Sequence, residues 1–463
     1  MPRAYIEMIL SSKSGKRRWY LAISLGSKVP NRSRGISGVS FDQSDRWVLP
    51  FLLYDPAHKI TDRTDLSLAT YSLTGEACHC MRSKQDRAVT GGPPHTALPR
   101  AVGLAALSRG DAVVAEEAFR EILSQNPADP AALHGLGKAL HDQARLDDAE
   151  AIFREAERLG ADAPRARYHL GLLRLLRADY DGGWSGWEER AAVLSFPSLP
   201  IPLWDGAPMR GRRLLVLGEQ GFGDVIQFAR FLPAAAQRSG AELTFGCAPP
   251  LLPLLGTFCA AHGIRAISGQ VSPSNFDAYV WLASLPRLLA AKKLGTAAYL
   301  SADTKLSALW NRRRPRRARC IGLCWEGRAS HPQDAQRSIP PALLQPLYAL
   351  PGTILVGLQL PPVQRPAAPH GLDLDWGPDI TDFAVAAAML SALDMLITVD
   401  TAMAHLAGAL GVPALVLLPY VPDWRWGLSG ESSAWYGSLR LLRQQRPGDW
   451  SAPIAAAAAA ITA

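Results

Sequence analysis

From residue 211 onward the chain is built of short apolar runs set between glycine turns and amphipathic stretches. LLVL (214–217), AELTFG (241–246), DAYVWL (277–282), CIGLCW (320–325), TILVGLQ (353–359), DMLITVD (394–400) and ALVLLP (414–419) are apolar at nearly every interior position. A strand covered on both faces has no solvent side to keep polar, so such runs predict parallel strands. Helical periods separate them, which gives the α/β class. A Lys- and Arg-rich break from Lys292 to Arg319 divides the region and predicts two facing α/β domains, about 204–310 and 316–455, with a cleft between them.

Between about residues 96 and 195 the pattern repeats every 34 residues. Gly103, Gly137 and Gly171 are spaced by it, as are Ala115 and Ala149, and Phe119, Phe153 and Trp187; Gly110 and Ala144 are matching small residues at the turn. Small residues let two antiparallel helices approach, while Leu and Phe fill the groove to the next pair. The stretch PAALHGLGKALHDQARLDDAEAIFREAERLGAD resembles a tetratricopeptide repeat, with Leu133, Leu136, Gly137, Leu140, Ala149, Phe153 and Ala156 at that family's packing positions. Three units are expected, the third diverging into DYDGGWSGWEER. Two roles stay open for them: a packing module for the domain that follows, or a peptide-binding surface.

Residues 1–95 show no sustained period and are read as a partly disordered extension. They carry most of the excess charge. Residues 1–99 hold fourteen Lys and Arg against eight Asp and Glu, or +6 of the net +8. The one dense basic run elsewhere, RRRPRRAR (312–319), reads as a solvated linker, so no nucleic-acid partner is expected. No apolar run approaches the roughly 20 residues of a transmembrane helix, and the N-terminus lacks a secretory signal, so the expected compartment is the cytoplasm. Six cysteines agree with it. Cys247, Cys259, Cys320 and Cys324 sit in apolar surroundings, and Cys78-His79-Cys80 has no second ligand pair nearby at zinc-like spacing.

Two stretches carry candidate chemistry. In GRRLLVLGEQGFGDVIQFARFLP (211–233) a strand leads through Gly218, Gly221 and Gly223 into a helix, with Asp224 at the junction. Glycines permit close backbone approach to a ligand, and a helix N-terminus offers unpaired amides. The spacing G-x-x-G-x-G is not that of a dinucleotide site, which disfavours an oxidoreductase, and no Lys-Ser or Lys-Thr follows to make a P-loop. Asp224 is read either as a helix N-cap or as a general base at the carboxyl end of the first strand. In DMLITVDTAMAHLAGALGVPALVLLP (394–419), Asp400 and Thr401 make the turn, and Thr401 and His405 share a helix face at its start, which suits a diphosphate.

Together with WEGRASHPQDAQRSIP (325–340) and DWRWGLSGESSAWYGSLRLLRQQRPGDW (423–450), these stretches resemble bacterial glycosyltransferases related to the ADP-heptose:lipopolysaccharide heptosyltransferases. The resemblance covers about 204–455 and extends to relatives that join such a domain to N-terminal tetratricopeptide repeats. It implies a GT-B fold of two Rossmann-like domains, the first facing the acceptor and the second holding a nucleoside diphosphate sugar. Asp224 matches the proposed catalytic base. Asp400, Thr401 and His405 match the donor turn, with Ala402 where glycine is usual, and Arg337 in RSIP stands for a phosphate-contacting Lys. The implied reaction is an inverting, metal-independent transfer without a cofactor, to a glycan, lipid-linked or protein acceptor. The alternative is a protein-interaction scaffold in which the repeats bind a partner and the GT-B domain is inactive.

Overall fold

The computed structural model describes residues 4–11, 18–25, 94–291, 295–329, 331, 333–348, 350–359 and 371–462. Strands β1 (Ala4–Ser11) and β2 (Arg18–Leu25) form an antiparallel hairpin, with Ala4 opposite Leu25 and Ser11 opposite Arg18. The sequence pattern predicts no element there. AYIEMILS and RWYLAISL are rich in strand-favouring residues but lack strict alternation, the signal that would have marked them. Cys78, His79 and Cys80 lie outside the described residues.

Six helices follow as three antiparallel pairs: α1 (Pro94–Arg109) with α2 (Ala112–Gln125), α3 (Pro130–Asp142) with α4 (Leu146–Arg158), and α5 (Ala163–Leu176) with α6 (Tyr180–Trp187). Aspartates start three of them. Asp111, Asp129 and Asp179 accept from Val114 N, Ala132 N and Gly182 N, satisfying amides with no partner inside the helix. The 34-residue glycines are explained by the rings they face. A β carbon on Gly103 would stand 2.8 Å from Phe119 Cζ, and one on Gly137 2.4 Å from Phe153 Cε1. In the third pair Gly171 lies against the backbone of Gly186, so α5 and α6 touch directly.

The rest of the chain forms two wholly parallel sheets. The first has the order β5-β4-β3-β6, from β3 (Arg213–Leu217), β4 (Glu242–Gly246), β5 (Arg265–Ile267) and β6 (Ala278–Trp281). The second has the order β12-β11-β10-β7-β8-β9, from β7 (Arg319–Cys324), β8 (Thr353–Gly357), β9 (Leu374–Asp375), β10 (Met395–Val399), β11 (Ala414–Leu418) and β12 (Leu439–Arg443). Counted within each sheet these are 3-2-1-4 and 6-5-4-1-2-3, the doubly wound Rossmann pattern. Its ligand crevice opens at the carboxyl ends of the strands where the order reverses: β3 and β6 in one sheet, β7 and β10 in the other.

The helix Thr304–Arg313 belongs with the second sheet. Trp310 packs against Trp376 at 4.9 Å between centroids, and Arg313 and Arg314 pair with Asp379 and Asp394. The chain therefore crosses between domains before Asp303 rather than at 310, and part of the basic run is ion-paired instead of free linker. The last helix, Ser451–Thr462, returns to the second sheet through buried Ile454, Ala457 and Ile461. Among the described residues no helix is long and apolar enough to cross a membrane.

Candidate functional site

At the end of β3 the backbone turns through Gly218 to Gly221 into the helix Phe222–Ala229. The left-handed residue of this turn is Gln220, at φ +66°, and none of the three glycines. Gly223 serves a close approach of another kind. A β carbon there would stand 2.7 Å from His405 Cδ2 and 3.4 Å from Ala402 Cα. The glycine thus admits the helix Ala402–Leu410 of the second domain, and the carboxyl ends of the two sheets face each other across this contact.

Asp224 is not the N-cap. Gly221 is, and Asp224 occupies the third helical position, where its Oδ2 accepts from Gly221 N at 2.8 Å. Its Oδ1 is ion-paired with the guanidinium of Arg425 from the DWRW segment. Arg425 is buried, and every edge is engaged: Nε donates to Gln227 Oε1 at 2.6 Å and Nη1 to Asp423 Oδ1 at 2.8 Å. The rings of Trp424, Trp187 and Phe228 lie against it at 4.4, 5.7 and 5.8 Å. One side chain therefore joins the repeats, the first domain and the second.

The first switch point is filled from within the chain. Glu219, beside Gly218, accepts from Arg190 Nη2 at 2.9 Å and from Ala283 N at 3.1 Å. Arg190 also donates to Ser284 Oγ at 2.7 Å, and Trp187 Nε1 donates to Ala283 O at 3.0 Å. Both Arg190 and Glu219 are buried. The crevice between β3 and β6 thus holds the end of the third repeat.

At the second switch point β10 delivers Asp400 and Thr401. Thr401 is the N-cap of the helix Ala402–Leu410, its Oγ1 accepting from Met403 N at 3.3 Å. Arg337 reaches over from the far side of β7 and donates through Nη1 to Asp400 O at 2.9 Å, while Nε pairs with Asp334 at 3.3 Å. Gly327 lies directly beneath it: a β carbon there would stand 2.3 Å from Arg337 Nη2 and would push the guanidinium aside. Burial, with a contribution from Asp423, pushes the Asp400 carboxyl up to about 6, against the pull of Arg337 and Arg425.

His405 is enclosed. Its ring stacks on Trp426 at 5.3 Å, and Nδ1 lies 3.0 Å from the Tyr436 hydroxyl. Burial first, and the positive charges of Arg425, Arg230 and Arg337 after it, hold its pKa well below that of a free imidazole. A neutral, packed ring at this place joins the two helix starts. The Asp-x-Asp pairs present in the sequence are engaged with backbone amides: Asp179 caps α6, Asp373 accepts from Leu355 N of β8, and Asp375 accepts from Gly377 N. Among the described residues no three His, Cys, Asp or Glu side chains cluster as metal ligands.

The structure therefore brings Asp224, Gly223, Ala402 and His405 together, with Arg337, Asp400 and Thr401 beside them. The sequence reading missed Glu219, Arg190, Asp423 and Arg425. Glu219, Asp423 and Arg425 carried a signal, as charges set among the glycines of GEQG and the tryptophans of DWRW; Arg190, in GWEERAAV, carried none.

Fold and site define a stack of helical repeats fused to two facing Rossmann-like domains, the GT-B arrangement. Residues 106–175, from the end of α1 through α5, match the family model for the tetratricopeptide repeat, so this stretch of the helical stack is tetratricopeptide repeat. The chain is similar to Protein FlbA of Caulobacter vibrioides, at 27% identity over 423 residues, 81% of this chain and 68% of that one. Among solved structures it is similar to the ADP-heptose lps heptosyltransferase II of E. coli, at 14% identity over 54% of this chain and 98% of that one, with TM-score 0.37. The glycosyl transferase family 9 protein from Veillonella parvula gives 13% identity, 52% and 88% coverage and TM-score 0.34. An O-GlcNAc transferase mutant from Thermobaculum terrenum gives 15%, 73%, 84% and 0.25.

Proposed function

We propose that the chain is a glycosyltransferase that moves a sugar from a nucleoside diphosphate sugar to an acceptor hydroxyl on a glycan, lipid-linked or protein substrate. The observation that carries this is the convergence of Arg337 with the Thr401-capped helix start at the second switch point. A guanidinium and the positive end of a helix together suit a diphosphate. Asp224 stands across the Gly223–His405 contact from that helix. In a single displacement, Asp224 takes the proton of the acceptor hydroxyl as its oxygen bonds to the anomeric carbon. The bond from that carbon to the diphosphate oxygen breaks, with inversion, and Arg337, Thr401 and the helix amides stabilise the charge that leaves with it. The motif resemblance of residues 204–455 supports the same reading.

The test is a thermal-shift screen of the full chain against nucleoside diphosphate sugars, followed by turnover of the stabilising donor. Asp224→Asn keeps the side-chain size and the bond from Gly221 N. It is expected to bind donor as the wild type does and to lose turnover by roughly 10²–10⁴-fold. An active Asn variant removes Asp224 from the chemistry. The scaffold reading is favoured by the Asp224–Arg425 pair and by the repeat residues in the first crevice, and it expects no turnover with any donor.

A further inference from the structure

The segment that carries Arg337 is held from two sides. On the inner side it returns along β7: Ile339 N donates to Trp325 O at 2.8 Å, Gly327 N to Ser338 Oγ at 3.0 Å, and Arg337 reaches Asp400 O. On the outer side the preceding residue, Gln336, faces the repeats. Its Nε2 donates to Asp142 Oδ2 at 3.3 Å, and its Cγ lies 3.5 Å from where a β carbon on Gly110 would stand.

Asp142 ends α3 and is a fixed acceptor. Its carboxylate is bonded to Lys138 and lies 3.0 Å from His141 Nδ1. Burial raises its pKa, but the bond from His141 and the charge of Lys138 outweigh that and bring it down to about 2. The carboxylate is therefore ionised at neutral pH, and Gln336 meets a full negative charge. Gly110, one of the 34-residue repeat positions, turns the chain at φ +79° within van der Waals reach of Gln336.

We propose that Asp142 and Gln336 are positioning residues: the repeats hold segment 333–338 where Arg337 reaches the Asp400–Thr401 turn, so nucleoside diphosphate affinity depends on the repeats. The affinity half of this rests on the donor reading above; the holding of the segment does not. A ligand or partner that shifts α3 against the second domain would then change donor affinity without touching the donor crevice.

The experiment uses the full chain with Gln336→Glu, which sets a like charge against Asp142, and Gln336→Lys, which offers it a new pair. Hydrogen exchange of 333–338 is measured without nucleotide, and binding of ADP and UDP by calorimetry. Gln336→Glu is expected to speed exchange in the segment and to weaken nucleotide binding by roughly 3–10-fold, while Gln336→Lys stays near wild type on both counts. Unchanged exchange in Gln336→Glu overturns the proposal, and so does faster exchange with unchanged affinity, or equal loss in both variants. A wild type that binds neither ADP nor UDP defeats the donor reading instead. The exchange comparison then still decides whether the repeats hold the segment.

Discussion

Arg190→Met separates a structural join from a surface contact. In the wild type the guanidinium donates to Glu219 at 2.9 Å, Ser284 at 2.7 Å and Trp187 O at 3.2 Å, all in a buried setting. Methionine keeps much of the volume against Trp187 but leaves the Glu219 carboxylate with Ala283 N in place of its counter-charge. Stranding one partner of a buried pair costs about 3–5 kcal/mol. Adding Glu219→Gln removes the stranded charge, and the double variant is expected to recover to within about 1–2 kcal/mol of wild type. The assay is urea unfolding followed in parallel by tryptophan fluorescence and far-UV circular dichroism. Coincident transitions in the wild type and split ones in Arg190→Met would show the repeats coming away from the first domain. A single variant within about 0.5 kcal/mol of wild type, or a double variant that merely sums the singles, refutes the join.

His405→Ala is expected to lower the urea midpoint by about 2–4 kcal/mol equivalent, because it removes a packed ring and the Tyr436 bond; weakened ADP binding at an unchanged midpoint would make it a ligand contact instead. Burial first, then neighbouring positive groups, lowers the His169 pKa to about 3, so below pH 6.5 the unfolded chain takes up the proton before the folded one and stability falls with pH. Between pH 6.5 and 5 this group accounts for about 1–2 kcal/mol, and His169→Phe should flatten the melting-temperature curve there; a parallel curve refutes the assignment. Gly137→Ala places a β carbon 2.4 Å from the Phe153 ring and is expected to cost about 1–3 kcal/mol by thermal melt, with no loss if the ring can move aside.

Elements whose cause is local can be read along the chain. Seven strands were legible because burial on both faces leaves an unbroken apolar run, and the repeats because Gly and Phe must meet at the same offset in each unit. β5, β9 and β12 were not. They are short or interrupted by arginine, and they lie at sheet edges, where one side needs no partner. The two site turns were likewise visible, since strand end, small residues and carboxylate are neighbours in the chain. Tertiary structure alone decided what each carboxylate meets. Arg425 lies 201 positions from Asp224, and Arg190 lies 29 from Glu219. A buried ion pair leaves no periodic trace, because each charge viewed alone looks like a solvent-facing residue. Whether Asp224 caps its helix depended on where the first turn begins, which the strand end and the oncoming helix of the second domain fix at Gly221. His405 became a core ring only when Trp426 and Tyr436, from beyond β11, folded back over it.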